Sequence, residues 1–329
     1  MTTVASVTSD VTAFCVCTNC GDELVAGDGH LTCTACETQY AIINGIPIML
    51  LAYDDDLHRR YVAAYDEIAR DDLDKPLEYD RDVRHQVLLD FIGDTSGDRI
   101  LDVGSSNAKY LRRLPGAEKV AVDIAFRYLE SIPSDTGIIG ICADVEILPV
   151  KPGYFDTIIV SDVVEHLLEP QRLVDRLMRL CRADTRVIVH VPWKEDLSKY
   201  AESEYEFTHL RTFNEYSFAE MWRYFRIRRE RATYPRLEEP IMFPLKRFLP
   251  LRVYNRLVGS YFQGDLATRE YEMRARWIRE LPRREWWLLR IYEPAFRMFE
   301  LRLRPEYVEA NADGGKSRRL SRPWSRRRG

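Results

Sequence analysis

From Arg99 onward, short apolar runs alternate with stretches of helical spacing. Residues 100–103, 120–122, 138–142, 157–160 and 187–191 are continuous apolar runs, the pattern of strands buried on both faces. Between the last two, Leu173, Val174, Leu177, Met178 and Cys181 recur at helical spacing and line one face. Strands alternating with helices predict an α/β fold built on a doubly wound parallel sheet. Residues 218–224 read as a further helix and 225–231 as a later strand.

Ahead of this region the pattern is finer grained. Residues 24–31 have turn residues, Gly27-Asp-Gly29, at their centre and read as a hairpin. Tyr40-Ala-Ile-Ile runs through Asn44-Gly45 into Ile46-Pro-Ile-Met, a strand, a tight turn and a second strand. Residues 57–69 place Leu57, Tyr61, Ala64, Tyr65 and Ile68 on one helical face, and 83–92 form a second helix. These patterns divide the chain into a small unit at 15–51, lead-in helices at 52–98, the α/β unit at 99–234, a helical extension at 235–310 and a basic, disordered tail at 311–329. The extension is punctuated by proline. It mixes apolar and basic residues over 245–258 and carries Trp277, Trp286 and Trp287 among arginines.

Composition narrows this picture. The 329 residues are 46% hydrophobic and 30% charged, as in ordinary globular proteins, and a net charge of -4 excludes a general polyanion binder. No apolar run approaches the roughly 18 residues that span a bilayer. Residues 1–14 lack the basic segment of a secretory signal and read as a loose lead-in. Seven cysteines, an odd number, point to a reducing, cytoplasmic setting rather than a disulfide framework.

Four of the seven form a metal-ligand array. Cys17, Cys20, Cys33 and Cys36 make C-x2-C-x12-C-x2-C, two turns able to present four thiolates to one tetrahedral ion. With no open coordination position, such a zinc would be structural. A unit this small buries too little to fold without that staple. The stretch resembles the zinc-ribbon family that activates RNA and protein methyltransferases and precedes some bacterial and archaeal methyltransferase domains. The resemblance rests on the cysteines, Leu24, Tyr40-Ala-Ile and Gly45-Ile-Pro-Ile-Met-Leu50.

The second chemical signal is Ile100-Leu-Asp-Val-Gly-Ser-Ser-Asn-Ala-Lys109, where a strand should end in a glycine turn and a helix begin. Backbone N–H groups at such a start suit a carboxylate or phosphate. Asp123, about twenty residues on, closes the next strand, where an acid can accept ribose hydroxyls. A dinucleotide site would need G-x-G-x-x-G, which is missing.

Over residues 83–222 the chain is similar to class I S-adenosylmethionine (SAM)-dependent methyltransferases of the type 11 group. The matching phrases are Leu101-Asp-Val-Gly104, Val122-Asp-Ile124, Ala143-Asp-Val-Glu-Ile-Leu-Pro149 and Phe155-Asp-Thr-Ile-Ile-Val-Ser-Asp-Val-Val-Glu-His-Leu167, with His190-Val-Pro192 and His209-Leu-Arg-Thr-Phe213 behind them. The resemblance implies that Asp102, Gly104 and Ser106 shape the pocket for the methionine end of SAM. It implies that Asp123 and Ile124 hold the ribose, that Asp144 and Val145 hold the adenine, and that Ser161 and Asp162 end the fourth strand near the methyl group. Asp102 and Asp144 also have a plain reading as helix caps or loop solvation. The chain departs from the family where the usual glycine-x-glycine-x-glycine becomes Gly104-Ser-Ser106-Asn-Ala108, since Ser and Ala reach positive φ less cheaply than glycine. A scaffold that binds no SAM is therefore a second reading.

His166 and His209 are candidate bases for an acceptor hydroxyl or carboxyl. Their plain reading is a loop and helix start held in place. The implied activity is methyl transfer to a small-molecule, glycan or lipid-linked acceptor, at oxygen. Arg223, Arg226, Arg228, Arg229 and Arg231 admit a solvated face, an RNA-binding stripe as in a tRNA or rRNA methyltransferase, or, with the extension, contact with the inner face of a membrane. The ribbon adds a partner protein as a further expectation.

Overall fold

A computed structural model of the chain describes residues 11–52, 55–73, 83–200, 203, 205–233, 253 and 296–314. The N-terminal unit is a four-stranded antiparallel sheet of β1 (Leu24–Ala26), β2 (His30–Cys33), β3 (Gln39–Ile43) and β4 (Ile46–Pro47), in that order. Its last hairpin turns on Asn44 (φ 50°) and Gly45 (φ 81°), and Ile43 pairs with Ile46. Two consecutive positive-φ residues match the right-handed twist of a two-residue hairpin, which is why Asn-Gly stands there.

Two helices follow, α1 (Asp56–Leu73) and α2 (Val83–Ile92), and then a seven-stranded sheet. Its strands are β5 (Arg99–Val103), β6 (Glu118–Asp123), β7 (Ile138–Cys142), β8 (Thr157–Ser161), β9 (Arg186–Pro192), β10 (Phe225–Thr233) and β11 (Phe296–Leu303). They lie in the order β10-β11-β9-β8-β5-β6-β7. The five from β5 to β9 are parallel, β11 is antiparallel to β9, and β10 is antiparallel to β11. The helices between them are α3 (Phe126–Glu130), α4 (Pro170–Leu180) and α5 (Glu215–Met221), and α6 (Pro305–Gly314) follows β11. Helix α4 starts on Pro170, which has no N–H to leave orphaned, and buries Leu173, Val174, Leu177 and Leu180. The parallel strands are the apolar runs expected of them: every residue of β8 is buried.

Four expectations are corrected. The seventh strand comes from Phe296–Leu303, inside the stretch expected to form a helical extension. Its residues alternate between apolar and charged, and it gains hydrogen-bonding neighbours on both sides. The helix expected to open after Gly104 is instead a series of turns over 105–114, because Ser106 (φ 52°) and Ala108 (φ 57°) leave the right-handed region. Residues 11–14 are no loose lead-in: they form a helical turn whose Val11 and Phe14 are fully buried, with the Phe14 ring 5.4 Å from that of Tyr154. The expected disordered tail begins in helix, since residues 311–314 end α6; the rest of the tail, the tryptophans and all of the apolar-basic segment but Val253 lie outside the described residues.

The small sheet docks on the large one. Val16 N donates to Pro149 O at 3.0 Å, Lys151 N to Phe14 O at 2.7 Å and Met49 N to Cys142 O at 2.7 Å. Leu24, Leu31, Tyr40 and Met49 share one buried cluster with Leu101, Val103 and Val122. The ribbon is thus seated against β7, the edge strand, and covers it.

Candidate active site

Strand β5 pairs with β6 on one side and β8 on the other, so the chain order reverses between β5 and β8. In an open parallel sheet that reversal leaves a crevice beyond the carboxyl ends of the two strands, because their connections leave on opposite faces. Asp102, Gly104 and Ser106 lie at the end of β5, Asp123 and Ile124 at the end of β6, Asp144 and Val145 after β7, and Ser161 and Asp162 at the end of β8. The sheet topology brings all of these expected residues to one edge.

Gly104 has φ 68°, and a Cβ there would stand 2.4 Å from Val163 Cγ2. Only glycine lets the two strand ends approach so closely. Ser106 and Ala108 keep left-handed backbone although they are not glycine, so the turn retains its shape at a cost of about 1–2 kcal/mol each. Asp123 is buried and accepts two backbone N–H groups, from Ser106 at 2.7 Å and Ala125 at 2.9 Å. Burial pushes its carboxyl up to about 6 against those hydrogen bonds. Asp144 accepts from Glu146 N at 2.8 Å, the loop-bracing contact of its plain reading, while Val145 beside it is buried.

Asp102 is 1% exposed, and its Oδ2 has no hydrogen-bond partner. Burial raises its carboxyl to about 8, with Asp123 adding to the rise and Lys109 opposing it. An orphaned buried carboxylate oxygen at the crevice fits an ammonium group such as the one on the methionine end of SAM.

Helix α1, expected as part of a lead-in, forms a wall of this region. Tyr61 packs with Ile124 and Phe207. The Tyr65 hydroxyl donates to Phe207 O at 2.8 Å, and Tyr128 donates to Asp72 Oδ2 at 2.6 Å. The helical spacing of Tyr61 and Tyr65 was the visible signal, and nothing in it said what the two rings would cover.

Beyond β8 the expected catalytic residues fall into two groups. Asp162, held at φ 54°, has its Oδ1 3.1 Å from His190 Nδ1, with Ser161 Oγ 3.3 Å from the same nitrogen. His166 and His209 meet separately, their ring centroids 4.7 Å apart and edge to face. His166 Nδ1 donates to Thr208 O at 3.3 Å, and burial lowers its pKa to about 4, so the ring is neutral. His209 Nδ1 is held by Glu195 Oε2, and Glu195 in turn accepts from Tyr200 at 2.8 Å. Glu165 beside them is fully buried, with both carboxylate oxygens unpartnered. Sequence reasoning missed Glu195 and gave His190 no role beyond its place in a matching phrase; only folding brings both to these sites.

The four cysteines belong to the small N-terminal sheet and its turns. Their sulfurs are all within 4.8 Å of one another, with Cys17–Cys36 at 3.6 Å and Cys20–Cys33 at 3.4 Å. Four thiolates on one zinc sit about 3.8 Å apart, so the array fits the ion. The Tyr40 hydroxyl, 3.0 Å from Cys17 Sγ, and Thr38, 3.1 Å from Cys36 Sγ, would orient the sulfurs. Cys15, Cys142 and Cys181 are buried and unpaired.

Four of the five stripe arginines, Arg226, Arg228, Arg229 and Arg231, fall on β10, the other edge strand, and Arg223 lies in the turn before it. Arg229 pairs with Glu300 at 3.0 Å, and Arg297 of β11 pairs with Glu230 at 2.6 Å. Charge along an exposed edge keeps it from pairing with another chain. Among the described residues, no helix is long and apolar enough to cross a membrane.

Residues 101–189 match the family described as a methyltransferase domain. No curated protein matches the chain. Among solved structures it is similar to Haemonchus contortus phosphoethanolamine N-methyltransferase 2 bound to phosphomonomethylethanolamine and S-adenosylhomocysteine, at 15% identity and a TM-score of 0.44 over 68% of this chain. It spans about half of that relative, 52%. It is also similar to a complex of the Haloferax volcanii Trm112 methyltransferase activator with a protein described as a methyltransferase, at 11% identity and a TM-score of 0.47, over 77% of this chain and 100% of that one. A third is Burkholderia thailandensis 1,6-didemethyltoxoflavin-N1-methyltransferase, at 15% identity and a TM-score of 0.40, over 60% of this chain and 89% of that one. The family match and the fold coincide: residues 101–189, from β5 into β9, match a methyltransferase domain and form the part of the seven-stranded sheet that holds the switch-point crevice.

Proposed function

We propose that this protein transfers the methyl group of SAM to an oxygen of a small, glycan-borne or lipid-linked acceptor held beyond β8. The observation that carries the reading is the unpartnered, buried Oδ2 of Asp102 at the switch-point crevice, beside the Asp123 carboxylate. SAM supplies a methyl group already activated on a sulfonium. Asp102 would accept from its ammonium group, Asp123 with Ile124 beside it would take the ribose, and Asp144 with Val145 would take the adenine. Gly104 and Ser106 shape the turn around the methionine end.

The chain's own work is then positioning and proton management. Tyr61 and Tyr65 of α1 shield the crevice from water, which favours in-line approach of the acceptor. Asp162 and Ser161, fixed by His190, line the strand end nearest the acceptor. His166 is a neutral imidazole whose free lone pair eases ionisation of a hydroxyl, and His209, its Nδ1 held by Glu195, presents its second ring nitrogen beside it. The ribbon would hold a structural zinc. Its seat on β7 supports a built-in brace more than a partner-recruiting module.

Two other readings make separate predictions. An RNA methyltransferase would show steeply salt-dependent RNA binding. A scaffold would bind no SAM, although the left-handed turn preserved at Ser106 and Ala108 supports a working pocket. The test is transfer of labelled methyl from SAM to a panel of hydroxyl-bearing acceptors, with His209→Gln as comparison. The reading expects kcat to fall at least tenfold in the variant while SAM affinity stays within about twofold. Equal turnover would remove His209 from the reaction.

A further inference from the structure

Glu165 poses a problem that the methyl-transfer reading leaves open. Its side chain is fully buried, and neither carboxylate oxygen has a hydrogen-bond partner. Arg211, the nearby cation, is spent on backbone: it donates to Val164 O at 2.8 Å and to Leu168 O at 3.5 Å. A buried carboxylate with nothing to accept from is costly, and such groups are found paired or on metal ions. Two imidazoles stand against it. A carboxylate oxygen of Glu165 and one ring nitrogen each of His166 and His209 lie within 4.8 Å of one another.

The surroundings of the two histidines complete the pattern. His166 Nδ1 faces the carbonyl oxygen of Thr208 at 3.3 Å, and since a carbonyl only accepts, that nitrogen carries the proton. His209 Nδ1 is engaged by the Glu195 carboxylate, which Tyr200 braces at 2.8 Å. His166 therefore keeps an unprotonated Nε2, and His209 offers Nε2 on the side of its ring opposite the Glu195 contact. Imidazoles whose second nitrogen is held by a carboxylate or a backbone carbonyl are characteristic of metal ligands, because that contact fixes both tautomer and ring orientation.

We propose that Glu165, His166 and His209 form a second metal centre, distinct from the four cysteines, that binds one divalent cation at the acceptor side of the crevice. Three protein ligands leave coordination positions open, and the acceptor hydroxyl takes one of them. This deepens the proposed methyl transfer and rests on it: the two imidazoles then act through the cation rather than as bases. The cation withdraws charge from the bound oxygen, so its proton leaves to water more readily. The oxygen's electron pair forms the new bond to the methyl carbon as the carbon–sulfur bond breaks with its pair going to sulfur. The substrate class that follows is a hydroxyl, above all one of two adjacent hydroxyls able to chelate the ion. Glu195 is a positioning residue for His209.

The test titrates full-length protein, with its ribbon zinc in place, with Mn2+ and follows free Mn2+ by electron paramagnetic resonance. Mn2+ competes poorly for thiolates and well for carboxylate, imidazole and water. One Mn2+ per chain is expected, weakened at least tenfold in Glu165→Gln and in His209→Gln, and about 10–100-fold in Glu195→Gln. Ribbon zinc by elemental analysis and SAM affinity by calorimetry should be unchanged in all three. Should Glu165→Gln not fold, His209→Gln, whose side chain is 18% exposed, carries the test. If Mn2+ does not bind, a second equivalent of Zn2+ lost in the same variants supports the site equally. Binding of neither ion, or binding that the variants leave intact, overturns it. SAM binding without any cation overturns this inference alone, whereas cation binding without SAM overturns the methyl-transfer reading.

Discussion

The carboxylate of Asp123 accepts the backbone N–H of Ser106 at 2.7 Å, so the acid that closes β6 holds the turn that closes β5. One side chain both shapes the crevice and presents charge to it. The same bond stabilises Ser106 in a left-handed conformation that its own Cβ disfavours.

That strain gives a stability prediction. Ser106→Gly should stabilise the protein by about 0.5–1 kcal/mol, the relief of a left-handed Ser less the added chain entropy of glycine. Gly104→Ala should act in the opposite sense and more strongly, because its new methyl would meet Val163. Urea denaturation measures both. A less stable Ser106→Gly would mean that the hydroxyl contributes more than the backbone strain costs.

Asp102 gives a pH dependence. Its folded value, about 8, lies above the ordinary 3.8, so folding favours the protonated form. Stability from this group is full below about pH 4 and is lost as pH rises through 8. From pH 6.5 upward Asp123 at about 6 is already largely ionised and His166 at about 4 is already neutral, and comparison with Asp102→Asn separates Asp102 from Glu165, whose carboxyl burial also raises. Ligand-free protein should lose about 1–2 kcal/mol more than Asp102→Asn between pH 6.5 and 8. SAM, whose ammonium group favours the carboxylate, should flatten the slope. A wild-type curve parallel to that of Asp102→Asn would count against an ionisable Asp102 in the crevice.

Removing the ribbon's metal should be felt across the whole molecule. Leu31, Tyr40 and Met49 share a core with Leu101 and Val103, so the small sheet cannot unfold without exposing the large one. Chelation of zinc should lower Tm by on the order of 10 °C in a single transition. Two separate transitions, the later one unmoved by chelator, would show that the ribbon is an independent appendage.

Much of this architecture is visible in the chain, for reasons that differ by element. Strand β8 is buried throughout and its parallel neighbours over most of their length, so they read as short apolar runs, and α4 carries its core face at clean helical spacing. The cysteine spacing and Asn44-Gly45 are local constraints and need no tertiary context. Strand β11 carries a strand's alternation, with Arg297, Glu300 and Arg302 among Phe296, Met298 and Leu301, but 62 residues separate it from β10, its antiparallel partner, so nothing local tied it to the sheet. The turns after Gly104 were misread as a helix because positive φ at Ser106 and Ala108 is a tertiary outcome that the side chains do not advertise. In the site, Asp102, Asp123 and the His166–His209 pair were visible as motif residues. Glu195, 14 residues from the histidine it holds, carries no such mark. The role of Tyr61 and Tyr65 as a wall depends on how α1 packs, which periodicity cannot say.

The central claim is that the crevice at the ends of β5 and β6 binds SAM. The direct measurement is calorimetry of SAM binding to zinc-loaded protein, with Asp123→Ala as control and circular dichroism to confirm that the variant is folded. Micromolar binding by the wild type, weakened at least a hundredfold in the folded variant, is the expected result, since the substitution removes both a ribose acceptor and the brace on Ser106. Equal affinity in both proteins, or no binding to either, would contradict the account.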